Sequence, residues 1–218
     1  MPGRFELLVF DWDGTLVDSA QSIVESLQEA CTDLGFEPPS DERARHIIGL
    51  GLIDALRSAI PHVPETEYRR IVERYRVHFL ARDGNLQLFP GMRAGLDALV
   101  SRGHLLGIAT GKSRRGLERA LDGVGVRECF VASRCADEGH SKPHPGMLQA
   151  VMAELAVAPE RTLMIGDTTH DLQMAENAGV RAVAVCYGAH PRQQLVAAAP
   201  FGCVDTPADL FDWLAENA

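Results

Sequence analysis

Two aspartates stand directly after the first apolar stretch of the chain. The run LLVF at 7–10 has the continuous apolar character of a strand that is covered on both faces of a parallel sheet, and Asp11 and Asp13 follow it within DWDGT. Carboxylates at the carboxyl end of such a strand are candidates for binding a ligand or a cation, because open α/β sheets bind ligands at that edge. The pair also fits an ordinary strand-turn-helix junction in which Asp13 or Thr15 caps the next helix.

Three later stretches carry further polar groups toward the same predicted edge. Thr110 and Gly111 follow the run LLGIA, and a hydroxyl beside a glycine suits the oxygens of an anion. Lys142 lies in HSKPHP, where two prolines hold the chain extended before a helix. Asp167 and Asp171 lie four residues apart in GDTTHD, after the run TLMI. Each stretch taken alone also fits a helix start whose cap is a hydroxyl or a carboxylate.

Four carboxylates gathered around one lysine would repel one another unless a cation neutralised them. A ligand set made only of oxygens favours Mg²⁺, which keeps several waters and accepts phosphate oxygens, whereas zinc would want histidine or cysteine. The sequence therefore predicts a magnesium site where these groups meet.

The elements that must position these groups fall into two regions with different sequence patterns. Apolar residues recur at helical spacing through four predicted helices, at 17–34, 41–48, 53–60 and around 68–79. From residue 86 onward, strands predicted at 105–109, 129–132, 162–165 and 180–185 alternate with helices, which indicates right-handed βαβ units. We therefore expect an α/β fold with a doubly wound, Rossmann-like parallel sheet and an inserted all-helical domain. The predicted core is 1–16 and 86–218, and the predicted helical cap is 17–85.

Composition limits the classes of partner and the cellular compartment that we expect for this protein. The net charge is −9, from 30 acidic and 21 basic side chains without a Lys/Arg-rich run, which argues against nucleic-acid binding. The five cysteines are odd in number and lack C-x-x-C spacing, so we expect buried thiols rather than disulfides. With neither a signal sequence nor an apolar run of membrane-spanning length, we expect a soluble, cytoplasmic protein without membrane partners.

Taken in order, the motifs DWDGT, Thr110-Gly111, Lys142-Pro143 and GDTTHD resemble the four motifs of haloacid dehalogenase-like phosphohydrolases. The inserted helices and the hinge LFPGM are most similar to the phosphoglycolate phosphatase group within that superfamily. The resemblance implies a Mg²⁺-dependent phosphatase that acts on a small phosphorylated metabolite through an aspartyl phosphate. Phosphoglycolate is the substrate at family level; sugar phosphates, nucleoside monophosphates and pyrophosphate stay open. A monomer is the default expectation, and a dimer stays open.

The resemblance also assigns roles to residues. Asp11 is the implied nucleophile, and Asp13 is the implied acid and base, whose backbone carbonyl also contacts the metal. The remaining implied roles are metal binding by Asp11, Asp13 and Asp167, substrate binding by Thr110, Gly111 and Lys142, and support from outside the metal shell by Asp171. In this family the cap often contacts the substrate near Arg45, Gly49, Leu50 and Gly51.

Three residues near the motifs receive weaker assignments. Lys112 fits either a solvent-exposed lysine at a helix start or a residue that leans toward the phosphate. His144 and His170 flank motifs, but the sequence pairs neither with a second histidine, cysteine or carboxylate as a transition-metal cluster.

Three other functions compete with the phosphatase. A phosphomutase of the β-phosphoglucomutase type would need polar cap side chains, which the loop 49–52 does not offer. A dehalogenase would not need the acid at Asp13. A phosphate- or Mg²⁺-responsive binding module, including a receiver, is the non-enzymatic alternative, although a receiver carries its acceptor aspartate on the third strand.

Overall fold

A single parallel sheet forms the centre of the molecule. The computed structural model describes residues 4–218, so the first three residues of the predicted segment 1–16 lie outside the described part. The strands run in the order β3-β2-β1-β4-β5-β6, and every pairing is parallel. Their bounds are β1 Leu7–Phe10, β2 Leu105–Thr110, β3 Ala132–Cys135, β4 Thr162–Gly166, β5 Arg181–Val185 and β6 Gly202–Val204. The α/β prediction with a doubly wound parallel sheet is confirmed.

Ten α-helices accompany the strands in the described residues. Four follow β1 directly: α1 Ala20–Asp33, α2 Asp41–His46, α3 Leu52–Ala59 and α4 Glu65–Asp83. The other six are α5 Met92–Ser101, α6 Arg114–Val124, α7 Gly146–Leu155, α8 Thr169–Asn177, α9 Arg192–Ala197 and α10 Pro207–Asn217. None of the described helices is long and apolar enough to cross a lipid bilayer.

The first strand is buried on both faces, which explains its unbroken apolar sequence. Leu8 and Phe10 belong to one hydrophobic cluster, together with residues of α5, α6 and α10. Leu7 and Val9 belong to another, on the opposite face, together with residues of α7 and α8. Side chains of a strand alternate between faces, so a strand covered on both sides needs apolar residues at every position.

The helices α1–α4 pack on one another through a separate apolar cluster, which includes Val24, Leu27, Leu56 and Ile71 and also Ala189 from the segment after β5. We use the names cap and core for the predicted segments. The two chain segments that join them lie side by side, because the Asp18 N–H donates to the Gln87 carbonyl over 3.1 Å and the Phe89 N–H donates to the Leu16 carbonyl over 3.0 Å.

Some element predictions were wrong in position. The strand predicted at 129–132 lies at Ala132–Cys135, while Arg127–Cys129 forms one turn of 3₁₀ helix. β3 is an edge strand with half-buried residues at its middle, so its pattern lacks the continuous apolar signal of β1. The helix predicted at 41–48 ends at His46, and α9, β6 and α10 were not predicted. Of the free cysteines, Cys186 and Cys203 are half-buried, not buried as expected.

Candidate active site

The strand register brings three of the predicted site residues to one edge of the sheet. Phe10 is paired with Ile108 on one side and with Ile165 on the other. Asp11, Thr110 and Asp167 therefore leave the carboxyl ends of three adjacent strands, at the point where the strand order reverses direction. Crevices at such a switch point are the usual ligand sites of open α/β sheets.

Lys142 links two of the buried carboxylates. Its Nζ lies 2.8 Å from Asp11 Oδ1 and 2.6 Å from Asp171 Oδ1, and all three side chains are almost completely buried. The other oxygen of Asp11, Oδ2, has no hydrogen-bond donor among the described residues. A buried carboxylate oxygen without a donor is costly unless a ligand uses it, so Asp11 Oδ2 is the atom that this site leaves available.

Asp167 is held by the loops on either side of it. The Thr15 hydroxyl donates to Oδ1 over 2.9 Å, and the Ala189 N–H donates to Oδ2 over 2.7 Å. Gly14 and Gly188 pack so closely that an added Cβ on either would lie 2.2 Å from Asp167 Oδ2. These glycines allow the backbone to wrap the carboxylate, and Gly14 also needs its positive φ of 76°.

Asp171 both caps a helix and binds the lysine. Thr168 is the N-cap residue of α8, and its backbone N–H and hydroxyl donate to Asp171 Oδ2 over 3.1 Å and 2.7 Å. Lys142 forms an ion pair with Oδ1 over 2.6 Å, so one oxygen of Asp171 contacts a cation and the other accepts hydrogen bonds. Asp171 therefore contacts the helix start and the buried lysine at once, and it has less capacity than Asp11 for a further ligand.

Asp13 contacts Ser19 and Lys112, whereas Asp11 contacts Lys142. The Ser19 hydroxyl donates to Asp13 Oδ1 over 2.7 Å, and Lys112 Nζ lies 2.9 Å from the same oxygen. Lys112 is only one-tenth exposed and also stands over the Phe79 ring at 4.9 Å, so its interpretation as a solvent-exposed lysine was wrong. Ser19 was missed because a serine at the start of a helix carries no signal beyond that of a cap.

The cap loop, residues 49–51, packs against Gly111, which follows the buried Thr110. The Thr110 hydroxyl is fully buried and accepts the Lys112 N–H over 3.2 Å. At Gly111 an added Cβ would lie 2.5 Å from the Leu50 carbonyl oxygen and 2.6 Å from that of Gly49. The Gly51 N–H also donates to the Ser141 hydroxyl over 2.6 Å, which fixes the loop against the segment that carries Lys142. Arg45, by contrast, hydrogen-bonds to Gln21.

Burial and mutual repulsion shift the acidities of this cluster. Burial raises the pKa of Asp11 well above its ordinary value, and the charges of Asp171 and Asp167 add to that rise while Lys142 opposes it. Burial, together with the Asp171 charge, raises the pKa of Asp167 to about 7. Burial alone would lower the pKa of Lys142, but the carboxylates of Asp11 and Asp171 outweigh it and raise that pKa. The carboxylates thus favour a positive partner beyond the single lysine.

The carboxylates fit a divalent cation. Asp11, Asp167 and Asp171 can each offer an oxygen such that the three oxygens lie within 4.8 Å of one another. Together with the free Asp11 Oδ2, this is a buried, all-oxygen ligand set, which suits a hard cation. The Asp13 side chain is not part of this group, and the use of its backbone carbonyl as a metal ligand stays a prediction.

His170 has histidine neighbours that the sequence did not reveal. Ring nitrogens of His46, His170 and His190 lie within 4.8 Å of one another, so the expectation that no second histidine approaches His170 was wrong. The Nε2 atoms of His170 and His190 lie 2.7 Å and 3.1 Å from the His46 carbonyl oxygen, while His190 Nδ1 accepts the Thr169 N–H. These contacts join α2 of the cap to the start of α8. His144 instead packs its ring against His140.

The fold and the site define a doubly wound α/β enzyme core that holds buried carboxylates and one lysine under an inserted helical segment. A family model described as haloacid dehalogenase-like hydrolase matches residues 8–185. The chain belongs to the haloacid dehalogenase-like hydrolase family, so the predicted family and the prediction that the protein is an enzyme are confirmed.

Individual relatives agree with this assignment. The chain is 39% identical over 208 residues to the probable phosphatase IndB of Dickeya dadantii (strain 3937), covering 92% of this chain and 89% of that protein. It is 31% identical over 205 residues to phosphoglycolate phosphatase of Synechococcus elongatus, covering 94% and 95%. The crystal structure of a hydrolase from Pseudomonas syringae superposes with a TM-score of 0.90 at 22% identity, covering 99% of this chain and 100% of that one, which shows the shared fold.

Proposed function

We propose that the protein is a Mg²⁺-dependent phosphatase that hydrolyses a small phosphomonoester through an aspartyl phosphate on Asp11. The observation that carries the proposal is the environment of Asp11, whose Oδ1 is fixed by Lys142 while its buried Oδ2 has no hydrogen-bond donor within residues 4–218. Relatives named as phosphatases over most of the chain support the same reaction class.

In the first half-reaction, a carboxylate oxygen of Asp11 attacks phosphorus, and the bond from phosphorus to the ester oxygen breaks. Asp13 donates its proton to the departing alkoxide, a role supported by its place between Ser19 and Lys112 on the cap side of the site. In the second half-reaction, Asp13 takes a proton from water as the water oxygen attacks phosphorus, which releases phosphate and restores Asp11.

The remaining groups position the phosphoryl group and neutralise its charge. Lys142 offsets negative charge beside Asp11, and the Thr110 hydroxyl and the Gly111 N–H are the proposed donors to the phosphoryl oxygens. Asp11, Asp167 and the Asp13 carbonyl would hold Mg²⁺, which supplies charge neutralisation for phosphoryl transfer when bound. We propose that residues 17–85 act as a cap that excludes bulk water during the reaction.

Replacing the proposed nucleophile gives the direct test. Asp11→Asn keeps the shape of the side chain but removes the nucleophilic carboxylate, so Mg²⁺-dependent hydrolysis of p-nitrophenyl phosphate should fall by at least about a thousandfold. Circular dichroism should stay unchanged. Asp18→Asn, at an exposed aspartate of the adjoining segment, is the matched control and should keep wild-type rates. A folded Asp11→Asn variant with substantial activity would rule out the mechanism.

A further inference from the structure

A large cavity lies between the cap and the core, beside the proposed acid. Its volume is about 670 Å³, and Asp13 and Gly111 are part of its lining, together with residues of α1, α3 and α4. Sites of about 300–1,000 Å³ are typical of drug-sized ligands. Under the proposed function, Asp13 protonates the leaving group, so the leaving group must lie in this cavity.

The cap side of the cavity is mainly apolar. It is lined by Ile23, Leu27, Ile48, Val72, Tyr75 and Phe79. Two further lining residues, Ile53 and Leu80, are among the most exposed large apolar side chains of the described chain, each 48% exposed. A two-carbon acid such as glycolate offers almost no apolar surface to such walls, whereas an apolar group that covered them would gain from the area removed from water.

Two arginines extend the lining from opposite sides. Arg76 lies on α4 of the cap and Arg115 on α6 of the core, and within residues 4–218 neither forms an ion pair with a carboxylate. The neighbouring Arg119 does pair, with Asp83. Guanidinium groups stack on planar rings as well as binding anions, so they are compatible with a ring in the cavity.

We propose that the leaving group of the substrate is an extended alcohol with an apolar, ring-sized body, held between α1 and α4 of the cap, rather than a two-carbon acid. This inference rests on the proposed phosphatase activity and specifies its substrate class. Phosphoglycolate, the family-level expectation, would then be a poor substrate.

Two esters of similar leaving-group chemistry test the inference. Ethyl phosphate and 2-phenylethyl phosphate are both esters of primary alcohols and differ mainly by the ring, so intrinsic reactivity affects the comparison little. With Mg²⁺ and the full chain, kcat/KM should be at least about tenfold higher for the 2-phenylethyl ester than for ethyl phosphate and for phosphoglycolate. Equal values, or a preference for phosphoglycolate, would overturn the inference while leaving the phosphatase intact. If the protein hydrolysed none of these three esters and also failed to hydrolyse p-nitrophenyl phosphate, the proposed phosphatase activity itself would be overturned.

A cavity-filling variant locates the ring. Val72→Trp places a large side chain in the cavity wall, so kcat/KM for the 2-phenylethyl ester should fall about tenfold more than that for ethyl phosphate. Val77→Trp on the same helix is the matched control, because Val77 is 55% exposed and does not line the cavity. It should keep the wild-type ratio between the two esters. A Val72→Trp enzyme with that same ratio would contradict binding of the ring at this wall.

Discussion

Lys142 is buried among carboxylates, so its removal should cost both stability and activity. Lys142→Met keeps the length of the side chain but leaves Asp11 and Asp171 without their cation, and breaking such a buried pair typically costs about 3–5 kcal/mol. Urea unfolding of the metal-free protein measures this loss. Lys112→Met is the comparison and should cost clearly less, because in the described part of the chain Lys112 pairs with one carboxylate, that of Asp13. Equal unfolding free energies for the two variants would contradict the central place given to Lys142.

The sequence predicted the residues at strand ends better than the residues that contact them from helices. Asp11, Thr110 and Asp167 could be expected to meet, because parallel strands bring their carboxyl ends to one edge. The contact of Ser19 and Lys112 with Asp13 depends on side-chain direction after a turn, which periodicity does not determine. The approach of His46 to His170 depends on how the cap lies on the core, and no local sequence pattern predicts the position of the cap.

The close contact between the loop at 49–51 and Gly111 gives a test of cap position. Gly111→Ala would place a Cβ 2.5 Å from the Leu50 carbonyl oxygen, and backbone atoms cannot yield as a flexible side chain can. The cap loop must then move away, so kcat/KM for p-nitrophenyl phosphate should fall by about tenfold or more, since small misplacements near a reacting centre are costly.

The matched control for this substitution is Gly123→Ala in α6. Among the described residues, an added Cβ there meets no atom within 4 Å apart from the adjacent backbone of its own helix. Alanine favours a helix over glycine by about 1 kcal/mol, so this variant should keep its activity and gain slightly in stability. Steady-state kinetics and thermal unfolding of both variants separate the effects. Wild-type kcat/KM in Gly111→Ala would show that the contact with the loop is dispensable.

Elements with a strong periodic signal were predicted within a few residues, and weak ones were not. β1 is a short, continuous apolar run that is buried throughout, and α4 repeats apolar residues at helical spacing, of which Tyr68, Ile71 and Phe79 are buried. β3 pairs on one side only and mixes buried with half-buried residues, so the apolar residues just before it gave a stronger strand signal than the strand itself.

For the whole molecule, alternation of strands and helices was enough to predict a parallel sheet with an insertion, because parallel strands need crossover connections. It was not enough to predict which strand lies in the centre. The structure places β1 between β2 and β4, which is why the motifs of these three strands share one site.

The unfolding equilibrium should depend on pH and on Mg²⁺ together, since the proposed Mg²⁺ site uses buried carboxylates that also bind protons. In the metal-free protein, burial and the charge of Asp171 raise the pKa of Asp167 to about 7, above its value in the unfolded chain. The folded state therefore keeps a proton that the unfolded state releases. This contribution to stability is complete below the unfolded pKa and is lost as the pH rises through about 7.

Mg²⁺ should offset this loss of stability at high pH. The increase in Tm that Mg²⁺ causes should therefore be larger one pH unit above the folded pKa of Asp167 than one pH unit below that pKa. Below that pKa the cation must first displace a proton, which weakens its binding and hence its stabilisation of the folded state. Calorimetric scans with EDTA or with Mg²⁺ in both buffers measure the two shifts. Asp167→Asn should show a smaller Mg²⁺ shift with less pH dependence, whereas the exposed Asp18→Asn should behave like the wild type. Equal Mg²⁺ shifts in the two buffers for the wild type would refute a cation site that competes with the Asp167 proton.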